Sequence, residues 1–136
     1  MCMKRWIVVL IGLFLSACSV SKAEETYEES ENVVYHVVTE EQLPQHVKAL
    51  YDRQHKQFKT YTVQQDGVMY IVTHLGERRT GGYDVVITNV TYEKGKIVVY
   101  YEERKPAPDA IVTQALTYPK IAIKIETTIP VEVKKK

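Results

Sequence analysis

The sequence predicts an α+β fold: an antiparallel sheet of six or seven strands with one amphipathic helix packed on it. Three observations predict it. Asp66-Gly67 and Glu93-Lys94-Gly95 each divide a pair of runs rich in β-branched and aromatic residues. Apolar residues between about 40 and 58 fall at helical spacing. Lys120–Glu126 alternates apolar and charged residues in strand fashion. At 136 residues, one domain is expected.

The residues before Val33 are set apart from that domain. Lys4 and Arg5 precede Trp6–Leu15, an apolar run of the length of a signal-peptide core and too short for a transmembrane helix. Leu15-Ser16-Ala17-Cys18 follows and resembles the lipobox of bacterial lipoproteins. The resemblance implies cleavage before Cys18, lipidation of its thiol and a two-chain anchor on the extracytoplasmic face of a bacterial membrane. Residues 1–17 are then the signal peptide. Residues 18–32 carry five glutamates against Lys22, a net of −4 after Cys18, and read as an acidic disordered tether. With Cys2 removed and Cys18 lipidated, the folded part has no thiol or disulfide chemistry.

Val33–Val38 reads as a strand buried on both faces. Thr39-Glu40-Glu41-Gln42 fits a capping box, and Pro44 fits only a first helical turn. A helix is therefore predicted from Glu40 or Pro44 to Gln57, with Leu43, Val47, Leu50, Tyr51 and Phe58 on its apolar face. Lys59–Gln65 and Val68–Leu75 form the first hairpin, and Tyr83–Tyr92 and Lys96–Arg104 the second. In the latter, Val85, Ile87 and Asn89 share one face, and Val86, Thr88 and Val90 the other. Pro106-Ala107-Pro108-Asp109 forces a loop before a short strand-like stretch, Ile111–Thr117. Ile121, Ile123 and Ile125 point to the core. The domain is placed at 33–127, and the basic tail 128–136, ending in three lysines, reads as frayed.

The stretch Gly76-Glu77-Arg78-Arg79-Thr80-Gly81-Gly82-Tyr83 joins the two hairpins and holds three of the six glycines. A loop fixed by a strand at each end is shaped, and binding groups sit on such loops. Thr80-Gly81-Gly82-Tyr83 with the Val85-Val86-Ile87-Thr88 strand, and Val112-Thr113-Gln114-Ala115-Leu116-Thr117-Tyr118-Pro119 with the Ile-rich strand after it, resemble the signature of the PrcB family of protease-complex-subunit lipoproteins. The resemblance covers 76–126 and implies an accessory role beside a secreted protease, with no catalytic residues. Arg78, Arg79, Thr80, Gly81, Gly82, Tyr83, Thr117, Tyr118 and Pro119 are the expected partner-binding residues.

The inventory argues the same way. All four serines, Ser16, Ser19, Ser21 and Ser30, precede the domain, which therefore has no serine or cysteine nucleophile. A non-enzyme is expected, without cofactor or metal: His36, His46, His55 and His74 are scattered, and the adjacent pair Glu102-Glu103 points to opposite faces of a strand. A charge of +3 over 33–136 is too mild for nucleic-acid binding. Nine tyrosines lie in the domain. Half-buried strand positions account for most of them. An exposed set, Tyr83, Tyr101 and Tyr118, would suit a rival function, a lipoprotein that binds cell wall or a small ligand. The leading expectation is a membrane-anchored, non-catalytic module that binds a protein partner and stabilises or assembles a secreted protease complex.

Overall fold

The computed structural model describes residues 31–136. The expected signal peptide, the expected lipidation site Cys18 and all but the last two residues of the expected tether lie outside the described residues. Strands are β1 (Glu31–Asn32), β2 (His36–Val37), β3 (Lys59–Gln65), β4 (Val68–His74), β5 (Asp84–Glu93), β6 (Lys96–Arg104), β7 (Lys120–Ile125) and β8 (Val131–Lys135). The helix α1 is Gln45–Tyr51.

The mixed class holds, but the strands make two sheets rather than one. Their orders are β1-β5-β6-β8 and β2-β7-β4-β3. Both hairpins form as expected. Asp66 and Gly67 have φ of 50° and 76°, and Lys94 and Gly95 have 49° and 82°, the double positive φ of a type I′ turn. The second turn is one residue shorter than expected, because Glu93 pairs with Lys96. Each hairpin seeds a separate sheet, and the inner faces pack together. Met69, Ile71, Ile123 and Ile125 from one sheet meet Val85, Ile87, Val90, Ile97, Val99 and Tyr101 from the other. The sheet carrying β4 has a second apolar face, where Val72 and Ala122 meet Val38, Leu43 and Val47 under α1. The order of layers is helix, sheet, sheet.

Several elements differ from expectation for local reasons. Val33–Val38 is not one strand. It crosses between sheets: the Val33 N–H donates to the Val90 carbonyl at 2.8 Å and the Val38 N–H to the Ala122 carbonyl at 3.0 Å. Only Val38 is buried, and Val34 is 76% exposed. The capping box exists, with Gln42 Oε1 accepting from the Thr39 N–H at 3.0 Å, yet it caps a single 3-10 turn, Glu40–Gln42. Leu43 precedes Pro44 and is pushed to extended backbone, ψ 138°, which separates that turn from α1. The helix stops at Tyr51, six residues earlier than expected. Its terminal carbonyls lack helical partners and take them from the sheet: His74 Nε2 bonds the Leu50 oxygen at 3.1 Å and Lys120 Nζ donates to the Tyr51 oxygen at 2.8 Å. Phe58 therefore leaves the helix and stacks on Tyr101, with centroids 5.2 Å apart and planes at 11°.

A bulge in β5 shifts the register between Ile87 and Asn89. The extra residue turns Val90, and not Asn89, into the core after Val85 and Ile87. The other face of this sheet is covered in part: Val98 is fully buried and Thr91 nearly so. Side chains of Glu93, Tyr100, Lys96 and Glu132 link along that face, with Thr91 and Tyr100 donating to Glu93 and Lys96 paired to Glu132.

The tail corrects the reading furthest. Val131–Lys135 is not frayed but pairs in parallel with β6 from Ile97 to Tyr101. Val131 and Val133 alternate onto the inter-sheet core, which a solvated tail would not do. Removing residues 131–136 strips these contacts and the β6–β8 ladder. A chain ending at Pro130 is expected to lose at least about 2 kcal/mol in urea denaturation, the scale of deleting buried aliphatic groups. An unchanged midpoint would return the segment to a frayed end.

Candidate functional site

The loop between the hairpins does not stand alone. Residues 76–83 run beside the loop 105–119, and the two are bonded in several places. The Arg78 N–H donates to the Thr117 carbonyl at 2.8 Å and the Thr117 N–H returns to the Arg78 carbonyl at 2.9 Å. Among the described residues this is the one β-bridge that Ile111–Thr117 makes, and the expected strand is not formed there. The Gly81 N–H donates to the Thr113 carbonyl at 2.9 Å, and Thr117 Oγ1 to the Thr80 carbonyl at 2.6 Å. Two irregular segments thus satisfy each other's backbone groups in place of a ladder.

Arg78 is the side chain at the centre. Its Nε donates to Glu103 Oε1 at 2.7 Å, and its Nη1 reaches the Glu77 carbonyl at 3.1 Å. Its guanidinium lies 5.8 Å from the Tyr83 ring centroid. Glu103 projects from β6, so the loop is anchored to the sheet of the second hairpin. The hydrogen bond from Arg78 holds the Glu103 carboxyl below the ordinary carboxylate range, against a smaller opposing effect of burial. Tyr118 closes the far side, its hydroxyl donating to Glu77 Oε2 at 2.9 Å.

Two glycines are required by this closure. Gly76, at φ +101°, leaves room for the Lys56 carbonyl, which would lie 2.8 Å from a Cβ. Gly82, at φ +89°, is packed so that a Cβ would meet Pro106 Cβ at 2.8 Å and Val112 Cγ1 at 3.0 Å.

All nine residues expected to bind a partner are therefore brought to one end of the molecule, with their side chains differently disposed. Arg78, Thr117 and Tyr118 are engaged internally. Arg79 is exposed. Beside them, Ile111 is fully exposed and Leu116 57% exposed, two apolar groups the sequence reading had placed in a strand. The expected tyrosine platform is not formed: Tyr101 is buried against Phe58, while Tyr83 and Tyr118 are half-buried.

A second cluster was missed because it needs three elements. His74, 1% exposed on β4, has its ring 4.7 Å from that of His55, and His55 Nε2 bonds the Tyr61 hydroxyl at 3.0 Å. With Nε2 on the Leu50 carbonyl, His74 Nδ1 is buried without a partner. Burial holds the His74 pKa below its usual value, and the nearby Lys120 adds to this. No group of three or more His, Cys, Asp and Glu side chains is placed to hold a metal among the described residues. His36 and His46 are exposed elsewhere. A cleft of about 460 Å³, which includes Val33, Tyr92 and Ile129 in its lining, opens at the other end of the sandwich.

Comparison with known proteins falls on the same two loops. Residues 69–126, from β4 through β7, match the family model described as PrcB C-terminal. This segment is similar to the PrcB C-terminal domain. Both clasped loops and the Glu103 anchor lie inside the matched segment, while α1, β3 and β8 lie outside it. An uncharacterized protein of Methanocaldococcus jannaschii is 36% identical over 74 residues, covering 54% of this chain and 44% of the relative. This chain thus matches less than half the length of that relative. No solved structure matches.

Two expectations follow from this geometry. Gly67 and Gly82 share positive φ, but a Cβ at Gly67 meets nothing within 4 Å. Gly67→Ala is expected to cost about 1 kcal/mol of backbone strain. Gly82→Ala should cost about twice that or more, because Pro106 and Val112 must move; equal costs in denaturant titrations would show that the loops are not closed. For His74, an unfolded histidine titrates near 6.5 and the folded one lower. Between those values the unfolded chain holds more protons, so stability is full above 6.5 and falls as the pH drops toward the folded pKa. His74→Gln should flatten the dependence of the urea midpoint between about pH 7 and pH 5. A wild-type midpoint that is flat over that range would contradict a buried neutral His74.

Proposed function

We propose that the chain is a membrane-anchored extracytoplasmic lipoprotein whose domain is a non-catalytic protein-binding module serving a protease complex. The PrcB C-terminal match over residues 69–126 supports a role related to a protease complex. The lipobox resemblance at Leu15–Cys18 supports the anchor, and the domain without serine or cysteine supports a binding role over nucleophilic catalysis.

One observation carries the binding surface. The clasped loops hold Ile111 and Leu116 out in solvent, with Arg79 on the adjoining loop. Exposed apolar groups beside arginine on a braced backbone match the composition of interface centres. The braced residues Arg78, Thr80, Gly81, Gly82, Tyr83, Thr117, Tyr118 and Pro119 set the shape of this surface, and the exposed three make the contact. The rival reading, sugar stacking on tyrosines, has no exposed set of rings at this end to support it.

The test is crosslinking in intact cells followed by capture in detergent, comparing wild type with Arg79→Glu/Ile111→Asp/Leu116→Asp. A component of a protease complex should be captured by wild type and fall at least about tenfold in the variant, the scale of one lost hot spot. Undiminished capture by the variant, or specific capture of nothing by wild type, would overturn the proposal.

A further inference from the structure

The two sheets present four edges, and three of them are blunted. β1 and β2 are two residues long. β8 ends in consecutive lysines, which disfavour further pairing. The fourth edge, β3, is different. It runs seven residues, pairs with β4 without a bulge, and contains no proline. From Thr60 to Gln65 it carries no charge. Among the described residues, its backbone groups that point away from β4 receive no hydrogen bond from any other element. An edge of this length and composition is a template for one more strand.

We infer that β3 is the seam of a two-fold dimer, and that the strand it receives is β3 of a second copy of this chain. The sequence of the edge fits itself. Antiparallel pairing centred on Thr62 overlaps all seven residues. It sets Thr62 against Thr62, Tyr61 against Val63, Thr60 against Gln64, and Lys59 against Gln65. No like charges meet. The aromatic–β-branched and Thr–Thr pairs are favourable cross-strand combinations. Tyr61 and Val63 already pack at the rim of the apolar cluster under α1, so the pairing continues that cluster across the two-fold axis. The result is one eight-stranded sheet across two copies, with each copy's clasped loops untouched, because β3 shares no residue with them. The dimer is independent of the proposed partner and doubles whatever the clasp binds.

Native mass spectrometry of the full chain released from detergent, over a concentration series, tests this. Wild type should dimerise. Thr62→Lys and Thr62→Asp each place like charges directly opposite at the axis and should weaken the homodimer by about fivefold. An equimolar mixture of the two variants should restore the wild-type level as a heterodimer of intermediate mass. A folding defect would not be repaired by mixing. Independently of any variant, the β3 amides that point away from β4 in the wild-type chain should gain hydrogen-exchange protection as concentration rises. A monomer at every concentration, a dimer indifferent to both Thr62 variants, or outward-pointing β3 amides already protected in the monomer would overturn the inference. The last result would mean that another segment of the same chain covers the edge.

Discussion

The end of the molecule that carries the family motifs depends on one arrangement: Arg78 held between Glu103 and the carbonyls of its own loop, with its backbone bridged to Thr117. Apart from the Arg78–Thr117 bridge, neither loop has regular structure. Each supplies the other's hydrogen-bond partners. The charge-assisted bond to Glu103 then ties the pair to β6. Bonds of this kind to a partly buried carboxylate are worth about 1.5–3 kcal/mol, several times an exposed ion pair. Ile111 and Leu116 of the loop 105–119 stand in water beside this anchor. The glycines follow from the closure, since only a residue without Cβ fits against Pro106 and Val112 at Gly82.

The sandwich behind the clasp divides its work by sheet. The hairpin β3–β4 and the strand β7 carry the helix on one side and the inter-sheet core on the other. The hairpin β5–β6 carries Glu103 at one end and the two-residue turn at the other. β8 completes this sheet from the C-terminal end of the chain, so residues near both ends of the described segment flank β5 and β6. His74 and Lys120 reach across to the helix and end it early, coupling α1 to β4 and β7 through two carbonyls. The helix is brief because its partners are on the sheet, not because its sequence lacks helical spacing.

What was legible in the sequence was what local chemistry decides. The turns at Asp66-Gly67 and Lys94-Gly95, the inward isoleucines of β7 and the shaped character of Gly76–Tyr83 rest on neighbours in the chain. The two short motifs touch in the structure, though nothing in their spacing says so. The division into two sheets was not legible, because an antiparallel strand pattern is the same whichever sheet receives it. Val33–Val38 misled because its apolar residues serve both sheets in turn, and the bulge at Thr88 inverted a face that simple alternation had set. The lysine-rich end read as solvent-exposed because Lys134–Lys136 outweighed Val131 and Val133. The histidine cluster draws on α1, β3 and β4 and leaves no spacing signature.

The claim on which the binding surface rests is that the two loops are closed on each other in solution. Native-state hydrogen exchange reads this at single residues. The Arg78, Gly81 and Thr117 amides lie in segments without regular structure, yet each donates across the clasp. They are expected to exchange as slowly as amides in β5 and β6, and to lose that protection together in Glu103→Ala while β3 and β4 keep theirs. If these three amides exchange at the rate of an open loop in the wild-type chain, the clasp is not formed, and the surface built on it is contradicted.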